Sequence, residues 1–181
     1  MSRENMPDQT ISRWSWLRWL WISAVVMVVD LSTKYYFDST FIYGETRYVT
    51  AFFNWVLVYN PGAAFSFLAD AGGWQREFFI LLTLLITSVL LWMLKSNQQN
   101  RLLSFALVLT IGGALGNLFD RIVHGHVIDF IQLHAGGYYW PAFNVADSAI
   151  CVGAALLVWD AIRQPKANTE SIAEKQVSPG K

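Results

Sequence analysis

Between Gly112 and Asp147 a glycine-rich apolar run gives way to Asn117, Asp120 and Arg121, then Asp129, then Asn144 and Asp147. Asn117 and Asp120 are three apart, as are Asn144 and Asp147, so on two helices each pair projects from one face and both faces can meet in one pocket. Asp129 lies in the connection between them, surrounded by Val127, Ile128, Phe130 and Ile131. A carboxylate in such company is no solvated surface group and needs a partner. Asp147 is the natural one. Two carboxylates placed together cannot both ionise easily; they share a proton, and one can act as general base on a water while the other donates a hydrogen bond.

Plainer roles exist for the same residues. Asn144 is a good helix N-cap after Pro141, and Asp147 three residues on suits the positive end of the helix dipole. Asp120 beside Arg121 reads as a structural pair that ends a helix and ties it to its neighbours through charge-assisted hydrogen bonds. Capping does not account for Asp129. His124 and His126 form a His-x-His with no further ligand pattern, so no metal is expected. Gly-x-Ser-x-Gly, His-Glu-x-x-His and phosphate-loop motifs are missing from the sequence, leaving serine, zinc and nucleotide mechanisms without support. The single cysteine, Cys151, falls in an apolar run and reads as a small core residue.

The elements that hold these groups follow from composition. Hydrophobic residues make up 54% and charged residues only 14%, against about 25% charged in soluble domains, so an α-helical integral membrane protein is expected. Apolar runs place four transmembrane helices at about 14–34, 78–94, 102–119 and 145–162. The first resembles the basic and apolar parts of a signal peptide, but Asp30 and Lys34 follow it instead of a small-residue cleavage site, so it reads as an uncleaved span. Gly112, Gly113 and Gly116 make faces that a neighbouring helix can approach closely. Asp30 is either a surface carboxylate reaching for water or a group turned toward a polar site.

Residues 35–70 contain no run long enough to span. Tyr48 to Tyr59 is rich in strand-forming residues, and Asn60, Pro61 and Gly62 supply a turn, so a small β-sheet subdomain is expected there. Ala63 to Leu68 is small or apolar and reads as an interfacial segment, ended by Asp70, Gly72 and Gly73. The tails 1–12 and 167–181 read as disordered, and residues 1–181 as a single domain. With four spans both termini share a side, and nine of the 13 Lys and Arg residues fall there; the positive-inside rule makes that side cytoplasmic and puts Asp30, the sheet, Asp120, Asp129 and Asp147 at the extracytoplasmic face. Zero net charge and the lack of a basic stripe give no sign of nucleic-acid binding.

From about residue 14 to residue 163 the chain resembles the bacterial lipoprotein signal peptidases, also called signal peptidase II. Asp30 with Ser32, Thr33 and Lys34 looks like the family's first motif, and Asn60 with Gly62, Ala63, Ala64 and Phe65 like its second. Gly112 to Arg121, Val127 to Phe130 and Phe143 to Ser148 resemble the remaining three, in order. By this similarity Asp129 and Asp147 correspond to the catalytic aspartates. Asp30, Asn60, Gly62, Asn117, Asp120, Arg121, Asn144 and Ala146 correspond to supporting or substrate-binding positions. Leu31 stands where many members have Gln, and Pro61 where many have Thr.

The resemblance implies a four-helix inner-membrane aspartyl endopeptidase that removes the signal peptide of diacylglyceryl-modified prolipoproteins just before the lipid-bearing cysteine. Its partners would be those substrates and membrane lipids, with the chain acting as a monomer and no cofactor, since the dyad and a water suffice. A transmembrane signal helix would enter sideways between spans, and the segment from Tyr35 to Asp70 could clamp it. Two other classes compete: a small proton-coupled carrier with intramembrane Asp relays, against which the lack of a repeat counts, and a noncatalytic assembly subunit that binds helices through the glycine face.

Overall fold

The computed structural model describes residues 14–62 and 74–163. Ala63 to Leu68, including Phe65, together with Asp70, Gly72, Gly73 and the two expected tails, lie outside the described residues. Four helices carry the architecture: α1 (Leu20–Thr40, entered through a 3-10 turn Ser15–Trp19), α2 (Gln75–Ser96), α3 (Arg101–Val123) and α4 (Val145–Arg163). All four are long and apolar enough to cross a membrane, as about 20 residues rising 1.5 Å each cover a hydrocarbon core of about 30 Å. α3 is the central one. It packs against each of the others and buries 67% of its apolar window, whereas they bury 22% or less of theirs. Glycines allow this: a Cβ on Gly112 would stand 2.8 Å from the Ser23 carbonyl oxygen of α1, and one on Gly113 would overlap the Ala146 carbonyl of α4.

A four-stranded antiparallel sheet caps one end of the bundle, in the order β1 (Thr46–Thr50), β2 (Phe53–Asn60), β3 (Val127–Ala135), β4 (Tyr138–Tyr139). Gly136 and Gly137, with φ of 57° and 83°, make the two-residue turn into β4. Two features differ from the reading above. Residues 35–40 continue α1, since no Gly or Pro interrupts and Phe37 prolongs the buried stripe of Asp30 and Lys34 at helical spacing. The connection that carries Asp129 is a strand outside the region where a sheet is expected: residues 127–130 are all buried, so the strand lies covered on both faces and shows no polar alternation. Its partner β2 sets Val58 opposite Asp129 and Asn60 opposite Val127.

Aromatic packing fastens the sheet to the helices. Phe37, Phe41, Leu57, Ile128 and Phe130 form a buried cluster, in which Phe37 stacks on Phe130 with ring centroids 4.4 Å apart. Next to Asp129, therefore, the β3 backbone is held by α1. Arg76 at the start of α2 donates from Nε to the Arg121 carbonyl (2.9 Å) and from Nη2 to the Ile122 carbonyl (2.7 Å). It thereby satisfies acceptors that the end of α3 would otherwise leave open. At Gly125 (φ 81°) the chain then turns back into β3.

Candidate active site

Asn144 is the hub of the polar network. Its Oδ1 accepts from the Asp147 amide at 2.9 Å, and Asp147 Oδ2 accepts from the Asn144 amide at 3.2 Å, a reciprocal cap on the first turn of α4. The side-chain Nδ2 of Asn144 reaches the other way, donating to Asp129 Oδ1 at 2.7 Å and, at 3.3 Å each, to the Ile128 carbonyl and Asn117 Oδ1. Asn60 donates to the second oxygen of Asp129 at 3.2 Å. From α3, Asn117 Nδ2 donates to Asp147 Oδ1 at 2.8 Å. Asn144 thus caps the helix and also joins the two carboxylates, reaching Asp129 through its side-chain nitrogen and Asp147 through its backbone amide.

Beneath this lies a fully buried ion cluster. Lys34 Nζ stands 2.8 Å from Asp30 Oδ2, 2.9 Å from Asp120 Oδ2 and 2.8 Å from Asn117 Oδ1. Asp30, with no exposed surface, is thus turned inward to the polar site. Its Oδ1 accepts from the Ala146 amide at 2.8 Å, so the apolar Ala146 joins this network through its backbone. Asp120 also accepts from the Ile128 amide at 3.2 Å, tying α3 to β3.

Asp120 and Arg121 both tie the end of α3 to neighbouring elements, but they do so separately and not as a pair with each other. Adjacent residues on a helix point about 100° apart, and Asp120 pairs with Lys34. Arg121 instead donates to the Asn117 carbonyl (3.2 Å) and the Gly62 carbonyl (2.8 Å), with its guanidinium 5.1 Å from the Phe79 ring centre. The Gly62 amide in turn donates to Asn60 Oδ1 at 3.0 Å, so Arg121 and Gly62 set the turn that aims Asn60 at Asp129.

A cavity of about 710 Å³ opens beside these groups, within the size range of small-molecule sites. Asn60, Asn117, Arg121, Asp147 and Ser148 make its polar wall, while Trp140, Phe143 and Ile150 are among its apolar lining. Asp147 is half-buried and faces the cavity; Asp129, 2% exposed, lies behind it. Burial, and then the charge of Asp147, push the Asp129 carboxyl up to about 7, outweighing its hydrogen bonds from Asn60 and Asn144. His126 lies off this network with its ring 4.3 Å from that of Tyr59, and burial together with His124 lowers its pKa. Two carboxyls bridged by one residue, Asn144, one holding its proton to near neutrality and the other facing a cavity, can activate a water and polarise a carbonyl.

Residues 22–163 match the family model of signal peptidase (SPase) II. The chain belongs to that family. A lipoprotein signal peptidase from Janthinobacterium sp. (strain Marseille) is 51% identical over 83% of this chain and 91% of its own length. One from Ralstonia nicotianae is 53% identical over 81% and 84%. A solved bacterial membrane enzyme, 31% identical, superposes with a TM-score of 0.72 over 82% of this chain and 94% of that one. All ten candidate site residues fall inside the range matched by the signal peptidase model.

At two residues, Lys34 and Cys151, the structure departs from what the sequence suggests. Lys34, which marks the end of the first span and belongs to a motif, also forms a buried pair with Asp30, for which a lysine four residues after an aspartate at the end of an apolar span is the available signal. Cys151, expected in the core, is exposed and lines the cavity. Hydropathy gave no warning, because a residue facing lipid and one facing protein are equally apolar.

Proposed function

We propose that this chain is an aspartyl endopeptidase that removes the signal peptide of diacylglyceryl-modified prolipoproteins, cutting just before the lipid-bearing cysteine. The observation that carries the proposal is the bridge made by Asn144 between Asp129 and Asp147 beside the cavity. In the reaction Asp147, at the positive end of α4 and supplied with donors by Asn117 and Asn144, takes a proton from a water. Asp129, which keeps its proton to about pH 7, donates it to the carbonyl oxygen of the scissile bond as the water oxygen bonds to the carbonyl carbon. Collapse of that intermediate passes a proton to the leaving nitrogen. The signal peptide departs with a new carboxylate, and the lipidated cysteine with a free amino group.

The compartment belongs to the same reading: a single domain in the bacterial inner membrane, multi-pass, both termini cytoplasmic, the site and sheet extracytoplasmic. Support comes from the basic residues Arg18, Lys95 and Arg163 in the last turns of the 3-10 turn, α2 and α4, away from the sheet. The partners are lipid-modified prolipoprotein and membrane lipid, the enzyme works as a monomer, and water is the sole co-reactant. Ile150, Cys151 and Val152 on α4 border the cavity, and a signal helix entering sideways would pass them.

A purified, detergent- or lipid-embedded sample given a lipidated precursor should release signal peptide without any ion gradient. Asp129→Asn and Asp147→Asn should fold and lose several orders of magnitude in turnover. Near wild-type turnover in either variant removes that residue from the dyad, and a requirement for a gradient would favour the carrier.

A further inference from the structure

We propose that Lys34 is a positioning residue for peptide cleavage: by holding the amide oxygen of Asn117 it compels the amide nitrogen of Asn117 to face Asp147. The proposal rests on the reading of Asp147 as the base that activates water.

Lys34 is 1% exposed on α1, and its ammonium has three acceptors, Asp30, Asp120 and Asn117. Charge balance calls for the carboxylates alone. The neutral third partner has another use, since its far end touches Asp147 on α4. An ammonium only donates, so the atom of Asn117 that faces it must be the oxygen, and the remaining amide atom, 2.8 Å from Asp147 Oδ1, must be the nitrogen. A flipped amide would set NH2 against the ammonium and its oxygen against the carboxylate, two repulsive contacts in a buried place. Asn144 Nδ2 favours the same orientation, but from 3.3 Å and while bonded more closely to Asp129. Lys34 is therefore the principal lock, acting across α1, α3 and α4 without touching the cavity.

The test is a neutral triad, Asp30→Asn/Lys34→Met/Asp120→Asn. Removing the three charges together leaves no buried ion unpaired, and the two asparagine oxygens can still accept from the Ala146 and Ile128 amides. This variant should fold, keep KM within a few-fold, and lose about 10- to 100-fold in kcat, the range set by one hydrogen bond to a charged group. In an Asn117→Leu background the same triad change should cost no further kcat. Retention of wild-type kcat by the folded triad variant would show that Lys34 merely balances charge and would overturn the proposal. An equal loss in both backgrounds would overturn it too, because Asn117 would not be the route.

If the triad variant does not fold, Lys34→Gln and Lys34→Met are compared per folded molecule. They lose the same charge, and only Gln can donate to Asn117. A kcat for Gln about 10-fold or more above that for Met is expected; equal values refute the lock. A wild type that releases no signal peptide would defeat the peptidase reading itself, an outcome distinct from either of these.

Discussion

Asp129→Asn replaces a carboxyl that keeps its proton to about pH 7 in the folded protein, against an ordinary value of 3.8. The folded state thus binds this proton more tightly than the unfolded chain. Its contribution to stability is fully present below about pH 4 and is lost as the pH rises through about 7. The full difference, a little over 3 pKa units at 1.36 kcal/mol each, is about 4 kcal/mol; about 3 kcal/mol of it falls between pH 5 and pH 8. Asparagine does not titrate. It also turns one acceptor into a donor facing Asn60 or Asn144, a loss that is independent of pH. What distinguishes the variant is consequently the slope: relative to wild type, Asp129→Asn should gain about 3 kcal/mol from pH 5 to pH 8. That corresponds to roughly 5–10 °C in Tm for a chain of this size. Melting curves of both proteins in one detergent, at pH 5, 6, 7 and 8, measure it. A Tm difference that stays constant across those four values would show that Asp129 ionises as an ordinary carboxylate, and the argument from its apolar burial would fail.

Further outcomes follow from the same contacts. The double variant Asp129→Asn/Asp147→Asn should cleave lipidated precursor no more slowly than the worse single variant, as the pair acts as a unit; a further hundredfold drop would mean the two act independently. Asp120→Asn should cost about 2–3 kcal/mol of stability, since Lys34 keeps Asp30 as counter-ion, and should reduce turnover per folded molecule less than a dyad change. Normal melting with abolished turnover would reassign Asp120 to catalysis. In Gly116→Ala the new methyl group overlaps the Asp30 carboxylate, which holds both Lys34 and the Ala146 amide. A loss of about 1–3 kcal/mol or more is expected, and wild-type yield and Tm would refute the close approach.

Much of the site was legible because its cues are local. The three-residue spacings of Asn117 with Asp120 and of Asn144 with Asp147 are helical-face relations that hold wherever the helices go. The cap of Asn144 on Asp147 closes within a single turn. Asp129 stood out because a carboxyl between Ile128 and Phe130 has no solvated alternative. The strand bearing it did not stand out, since burial on both faces erases the alternation by which strands are recognised.

The sequence by itself determined that four apolar helices and a small sheet would form, and that a few carboxylates and amides would be drawn to one place. Those outcomes depend on hydropathy and spacing along one segment, where an unpartnered charge has too few ways to be satisfied. Only the tertiary structure decided which groups meet. Asp120 reaches Lys34 and not its neighbour Arg121, Arg121 reaches the Gly62 carbonyl, and Lys34 reaches Asn117 across 83 residues of chain. Each pairing depends on the rotation and depth at which α1, α3 and α4 pack, and one residue of register turns a helical side chain by about 100°. The glycine contacts of α3 with Ser23 and Ala146 hold those rotations, and such contacts exist only once the helices are packed.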